Sequence, residues 1–426
     1  MPNQPLIAQI FSRNMLICIF TGFSSGLPLY VLTQLVPAWL TSNQVDIKTI
    51  GFFTLTSFPY TWKFLIAPLL DRYYPNFLGR RRSWMFLTQI TLFGSIILLG
   101  LFNPVQNIQT VAIIATAIAI FSAVQDIVID AYRREMLPDS ELGLGNSIHV
   151  NAYRIAGLIP GGISLVLADS FTWEIVFIFT ALFMLPGLFL SLFLSREPKV
   201  PEIDRSVPFY QTFSLPFKEF FSRKGIAAGI GLILFIFLYK FGDSLATSLQ
   251  TKFILDMGFS NSDIGTVVKI NSLWASIVSG ICGGILMLKL GINRSLWLFG
   301  FVQFITILGF VWMAGYGKFE TIGTYERFVL TTVIIGEYIG VGLGTAAFVA
   351  FMARETNPLY TATQLAIFTS LSAIPSKLIG AYSGVFVSHY GYYTFFWLCF
   401  ILAIPGMICL FWVAPWNNKA QDEKIT

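Results

Sequence analysis

Nine ionisable side chains interrupt stretches of sequence that are otherwise apolar: Lys63, Asp126, Asp130, Arg154, Lys240, Asp243, Lys269, Glu337 and Lys377. A charge in hydrocarbon is expensive, so such residues gather where water, a ligand or a counter-charge can reach them. Asp126 and Asp130, in "FSAVQDIVIDAYRREMLP", share one helical face at (i, i+4) spacing. Asp130 has Arg134 one turn further on as its expected partner. Asp126 has only a like charge in its own helix, and Arg154 is the expected partner from outside it. Three readings of Asp126 stay open: a carboxyl that alternates between a cation and a proton, a static ion pair joining two helices, and a substrate contact. Lys240 and Asp243 stand three apart and are expected to pair. Glu337, in "GEYIGVGLG", and Asp243 are the other candidates for carrying a proton. The five cations Lys63, Arg154, Lys240, Lys269 and Lys377 outnumber the four acids, which suits an anionic or zwitterionic substrate. No nucleophile–base pair and no metal-ligand spacing is present, so neither catalysis nor a cofactor is expected. The four cysteines lie in apolar runs and read as small buried side chains.

These residues need elements that hold them in a membrane. Of 426 residues only 12% are charged, and mean hydropathy is +0.71, whereas a soluble chain carries about a quarter charged residues. Apolar runs long enough to cross a bilayer recur throughout, continuous rather than alternating, and so predict helices. Twelve spans are predicted near 14–40, 50–70, 83–102, 108–132, 146–168, 174–194, 225–252, 264–288, 295–315, 328–352, 363–388 and 394–413. The first is read as a retained helix, because no small-residue cleavage site follows it. The nine ionisable groups fall in spans 2, 4, 5, 7, 8, 10 and 11 and avoid 3, 6, 9 and 12. Of 27 Lys and Arg, 18 lie in one set of loops and tails and 4 in the other, which puts both termini in the cytoplasm. Topology thus explains the net charge of +5, and no nucleic-acid partner is implied.

The longest polar connection divides the chain into 1–195, a linker at 196–224, and 225–426. The stretch "VPFYQTFSLPFKEFFSRKG" in the linker spaces its phenylalanines helically and is expected to lie in the membrane interface. The two halves repeat. "RREMLP" (133–138) matches "ARETNP" (353–358), "ADSFTWEIVFIFTALFMLPG" resembles "SHYGYYTFFWLCFILAIPG", and "VDIKTIGF" (45–52) resembles "FSNSDIGT" (259–266). Such a duplication around a long central loop predicts a transporter whose halves rock about a central site. Gly and Pro within "TGFSSGLPLY", "GLIPGG", "GVGLG" and "SAIPSK" point to broken helices there. Tyr30, Trp39, Tyr60, Trp62, Tyr153, Tyr239 and Trp274 are candidates for stacking on sugar rings.

The loops "APLLDRYYPNFLGRRR" and "GGILMLKLGINR" resemble the signature of the major facilitator superfamily. Asp71, Arg72, Gly79, Arg81 and Arg82 match in the first, and Gly284, Lys289, Gly291 and Arg294 in the second. The resemblance implies a cytoplasmic latch in which a carboxylate faces helix N-termini and arginines across the halves; Asp71, Arg72, Asp130, Arg134, Lys289 and Arg294 are its candidates. Closer still, "GFSSGLPLY", "AWLTSNQVDIKTIGFF", "PYTWKFLIAPLLDRYYPNFLGRRRSW", "SAVQDIVIDAYRREMLP" and "YRIAGLIPGG" resemble the AmpG-type muropeptide permeases. That resemblance implies a monomeric, lipid-embedded importer in a bacterial inner membrane. It would couple protons to uptake of anhydro-muropeptides, glycopeptides from cell-wall turnover, with an indirect role in β-lactamase induction. An exporter of amphiphiles, or a carrier of another large anion such as acetyl-CoA, would share the fold. A membrane-embedded enzyme is disfavoured, because no loop exceeds about 30 residues, too little for an extramembrane catalytic domain.

Overall fold

A computed structural model of the chain describes residues 6–46, 62–75, 77–199 and 208–417, with positions 49, 53, 56, 59 and 60; at 6, 7, 261 and 375–381 it describes the backbone alone. Most of the repeat at 45–52, most of the first half of span 2, linker residues 200–207 and the Lys377 side chain therefore lie outside the described residues. Among the described residues, helix is the only regular structure. Hydrocarbon offers no hydrogen-bond partner, and a helix satisfies its backbone internally.

Along the chain stand α1 (Arg13–Ser42), α2 (Lys63–Arg72), α3 (Arg80–Gly100), α4 (Ile108–Met136), α5 (Leu142–Ala168), α6 (Trp173–Leu194), α7 (Ile226–Asp256) and α10 (Thr324–Arg354). The helical stretch Ile264–Gly315 has 52 residues. A straight helix of that length would run to about 78 Å, far beyond a hydrocarbon core of about 30 Å. It instead reverses at Gly291 into α8 (264–290) and α9 (292–315). Likewise Thr361–Val413 reverses at Gly391 into α11 (361–390) and α12 (392–413). Nine helical stretches among the described residues are long and apolar enough to cross a bilayer.

The reversals share one device. Gly79, Gly291 and Gly391 stand directly before α3, α9 and α12 with φ of 107°, 73° and 76° and ψ near 170°. This region of backbone space is open essentially to glycine alone. Gly79 and Gly291 are the two glycines that the loop signatures pair, so the internal repeat reappears as a repeated backbone conformation.

Four helices widen locally into π-turns: Val31–Leu35 in α1, Ile159–Ile163 in α5, Leu190–Leu194 at the end of α6 and Ile264–Lys269 at the head of α8. Pro28 precedes the first and Pro160 lies within the second. A proline withholds an N–H and crowds the preceding turn, which favours such a break. On the N-terminal side of these two turns α1 and α5 meet backbone to backbone. A Cβ at Gly22 would lie 2.2 Å from the His149 carbonyl oxygen.

Apolar packing differs between the two ends of the bundle. At the end bearing both termini, one cluster joins Met15, Cys18, Leu142 and Leu144 of the first half to Met287, Phe299, Phe351 and Ala414 of the second. At the far end each half keeps its own cluster, around Trp39 and Phe177 in the first and around Phe253 and Phe396 in the second. Among the described residues, the apolar cluster shared by the halves thus lies at the terminal end.

A linker helix, Gln211–Lys224, docks beneath this seal. Phe220 is buried edge-on to Phe368 of α11 at 5.6 Å, and Arg72 Nη1 donates to Thr212 Oγ1 at 2.6 Å. Phe209, Tyr210 and Phe217 remain exposed on its outer side.

The Gly291 backbone yields a clean test. A Cβ at Gly291 meets no atom within 4 Å, so Gly291→Ala introduces backbone strain and nothing else. A loss of about 1–3 kcal/mol follows, read as a lower thermal midpoint of the purified protein; an unchanged midpoint would contradict the strained assignment.

Candidate functional site: a cavity between the halves

The buried charges resolve into separate groups. Lys63 Nζ donates to Asp126 Oδ2 at 2.9 Å, and Ser25 Oγ donates to Asp126 Oδ1 at 2.6 Å. Both Asp126 oxygens are therefore engaged, and its cation is Lys63, not Arg154 as the spacing suggested. The reason is facial: Arg154 leaves α5 on the side of Tyr30 and Tyr338, away from Asp126. Asp130 pairs with Arg133 at 2.7 Å, not with Arg134. Arg133 points inward, where its Nε also reaches Asn146 Oδ1 at 2.6 Å. Arg134, one residue on, turns to Asp139 at 3.1 Å and donates to the Ala353 carbonyl at 2.6 Å.

In the second half Lys240 Nζ reaches Asp243 Oδ2 at 2.9 Å and Gln303 Oε1 at 3.0 Å. Glu337 is fully buried, and among the described residues no cation pairs with its carboxyl, which lies close to Asp243 and Thr306 without a well-formed hydrogen bond to either. Its neighbours on the facing helices are Asp243, Thr306 and Lys240.

Between the halves lies a cavity of about 570 Å³. Tyr30 and Gln34 of α1, Arg154 and Gly161 of α5, Lys269 and Ser276 of α8, and Tyr338 of α10 contribute to its wall. Three of the four π-turns border it, through Gln34, Gly161 and Lys269. Widened turns are frequent at functional positions because they redirect side chains. Arg154 is half-buried and Lys269 exposed. Among the described residues neither side chain has a hydrogen-bond or ion-pair partner.

Most of the aromatic candidates lie elsewhere. Trp39 is core, against Phe177 at 5.0 Å; Tyr239 is core, against Phe348 at 5.2 Å; Trp274 stands exposed on the opposite face of α8. Tyr60 bonds Ser122, and Tyr153 packs edge-on to Tyr30 at 5.7 Å. Trp62 is exposed. Sequence reasoning missed Gln34, Ser276 and Tyr338; the position of Tyr338 beside Glu337 was its one available signal. Cys282 corrects another expectation, since it is exposed while the other three cysteines are buried.

The terminal end is closed by polar contacts as well. Asp71 Oδ1 accepts from Arg80 and Arg81 at 2.9 and 2.8 Å. Asp71 Oδ2 accepts from the Thr363 backbone N–H at 2.9 Å and its Oγ1 at 2.7 Å. Thr363 lies in the first turn of α11, where unpaired N–H groups and the helix dipole both favour a carboxylate. Arg80 also donates to the Leu359 carbonyl, and Ser147 to the Gly280 carbonyl, both across the halves. Lys289 is exposed and Arg294 half-buried in the α8–α9 turn. The second-half partner of Asp71 is the start of α11, not that turn.

The repeat-matched glutamates are held differently. Glu135 binds Arg81 at 2.6 Å, whereas Glu355 binds Arg354 at 3.1 Å and Lys224 of the linker helix. Burial would raise the Glu355 carboxyl, but Arg354 and Lys224 outweigh it and hold it below the ordinary value. At Glu219, too, burial is outweighed, here by hydrogen bonds from Asn357, Arg223 and Gln364. Among the described residues no His, Cys, Asp and Glu cluster could hold a metal.

Known proteins match this arrangement. Residues 18–378 match the Major Facilitator Superfamily. The chain is 63% identical to an uncharacterized protein of Haemophilus influenzae, over 99% of this chain and all of that one. It is 36% identical to the anhydromuropeptide permease of Escherichia coli K12, over 92% of this chain and 78% of that one. Among solved structures, the human organic anion transporter MFSD10 (TETRAN) superposes with a TM-score of 0.68 at 15% identity, covering 93% and 99% of the two chains; this likeness concerns fold.

Two outcomes follow from the pairs. Lys63→Met or Asp126→Leu alone strands a charge and should cost about 3–5 kcal/mol, while the double substitution costs less than either single one; additive losses in unfolding experiments would argue against the pair. Glu355 has a depressed folded value, so its contribution is complete above the ordinary 4.5 and fades as pH falls below that. Hydrogen-exchange protection of 211–224, relative to the intrinsic rate at each pH, should therefore fall on acidification below that value, and Glu355→Gln should show reduced protection already at neutral pH.

Proposed function

Since the chain belongs to the major facilitator superfamily, and by its match to the permease of Escherichia coli to the AmpG-type branch, we propose that it imports anhydro-muropeptides across a bacterial inner membrane by proton-driven alternating access. It is a transporter rather than an enzyme. The observation that carries the reading is the cavity between the halves, lined by two unpaired cations and sealed at the terminal end. With both termini in the cytoplasm, as the Lys and Arg distribution indicates, this conformation receives substrate from the periplasm.

In the cycle we propose, 1–195 and 225–426 are the two moving bodies and 196–224 the tether between them. The latch residues Asp71, Arg72 and Arg134 hold the cytoplasmic side shut. Opening inward requires Asp71 to release Thr363 and Arg134 to release Ala353, while the far ends of α1, α5, α8 and α10 close over the cavity. Glu337 carries the coupling proton. A fully buried carboxyl with no cation on either oxygen is stable only while protonated, and rearrangement around Lys240 and Asp243 gives it a route to let the proton go. Asp126, by contrast, is saturated by Lys63 and Ser25, which favours its structural reading.

Uptake of radiolabelled GlcNAc–anhydroMurNAc-tripeptide into right-side-out vesicles tests this. Wild type should concentrate the compound, and a protonophore should abolish the accumulation. Glu337→Gln should lose accumulation yet keep counterflow. Absence of uptake by demonstrably folded wild type would overturn the substrate class, and undiminished accumulation by Glu337→Gln would overturn the proton assignment.

A further inference from the structure

The five intramembrane cations are not equivalent. Lys63 is neutralised by Asp126, and Lys240 by Asp243 with Gln303 beside it. The Lys377 side chain lies outside the described residues. Arg154 and Lys269 remain, both on the cavity wall and, among the described residues, both without an ion-pair or hydrogen-bond partner, Asp243 acting on Arg154 only at longer range. One belongs to the first half and the other to the second.

We infer that Arg154 and Lys269 form an anion clamp that spans the two halves and draws them together on substrate. The inference rests on the transport reading above and deepens it, by naming the group of the substrate that is recognised and the step that its recognition drives. A guanidinium within the membrane without a counter-charge is costly, and the cost is relieved when a ligand anion binds there. Arginine presents a planar fork that matches a carboxylate or phosphate through two parallel hydrogen bonds, whereas lysine offers a compact point charge. Tyr30 and Tyr338 flank the fork, and Gln34 and Ser276 place further polar groups on the same wall. Arg154 is therefore the fixed anchor, half-buried on α5. Lys269, exposed at the end of the α8 π-turn, is the closing contact.

An anion held by Arg154 gains more from Lys269 as the gap between α5 and α8 narrows. The ligand thus binds the closed state better than the open one, and only such a difference can shift a conformational equilibrium. A substrate with two carboxylates matches the two charges, and so does a phosphate.

Binding to the purified full-length protein separates these cases. The probes are GlcNAc–anhydroMurNAc-tripeptide, the same compound with its stem carboxylates amidated, and inorganic phosphate. Amidation should weaken binding at least about tenfold, consistent with loss of a charge-assisted hydrogen-bonded pair. Arg154→Gln should weaken the acid form equally and no longer distinguish it from the amide, with Arg154→Lys intermediate. In a Cys282→Ala background, maleimide labelling of Ser272→Cys should be slowed by the acid form and not when Lys269→Gln is added. Equal affinities of wild type and Arg154→Gln would overturn the clamp while leaving the muropeptide reading standing. Failure of folded wild type to bind either glycopeptide, with Arg154-dependent binding of phosphate, would keep the clamp and overturn the muropeptide reading in favour of a phosphorylated substrate. Labelling protection that survives Lys269→Gln would remove Lys269 from the closing step.

Discussion

A bilayer core has no water to spare for a polar group, and the arrangement of this protein follows from that single constraint. Every helix must satisfy its own backbone, so helix is the only regular structure among the described residues, and the tight reversals before α3, α9 and α12 use glycines that tolerate a mirror-image backbone. Every intramembrane charge must find a partner or a wet surface. Asp126 finds Lys63 and Ser25, and Asp130 finds Arg133. Arg154 and Lys269 find the cavity wall instead, which leaves the cavity, among the described residues, electrostatically incomplete.

The same constraint explains why the two ends differ. Apolar surface at the terminal end is shared between halves, with Phe299 and Phe351 in one cluster with Met15 and Leu142. Over it lies a polar layer in which Asp71 serves two arginines of its own half and the first turn of α11 in the other. Hydrogen bonds to charged groups contribute about 1.5–3 kcal/mol each, so a few of them set a barrier without making the closed end permanent. The linker helix adds a clasp from below through Lys224 and Glu355. In the second half it supplies the cation that Arg81 supplies to Glu135 in the first. The repeat has kept its glutamate and changed the source of its partner.

Much of this was legible in the sequence, and the boundary of legibility has a physical cause. The membrane class, the helix-bearing runs, the Gly79 and Gly291 pairing and the likeness to muropeptide permeases rest on local pattern, which a sequence carries directly. Which cation meets Asp126 does not. On α4, Asp130 could reach either Arg133 or Arg134, since both (i, i+3) and (i, i+4) neighbours share its face; the choice is made by Asn146 on α5 and Ala353 on α10. Trp39 and Tyr239 read equally well as sugar platforms or as core until the packing around Phe177 and Phe348 decides. Pairings between helices depend on rotations about helix axes, and no single run of sequence encodes those.

Glu337 and Tyr338 bring the two sides of the proposed mechanism onto one turn of α10. Successive residues on a helix point about 100° apart, so one is sealed among Asp243, Thr306 and Lys240 while the next faces the cavity. Tyr338 also donates to Gln250 of α7 at 3.3 Å, the helix that bears Lys240 and Asp243. A ligand that displaces Tyr338 therefore acts on the contact between α7 and α10, the contact that encloses Glu337. Such a link needs no long pathway. It needs only that α7 and α10 pack in one arrangement with the carboxyl protonated and in another when a nearby cation takes the place of its proton.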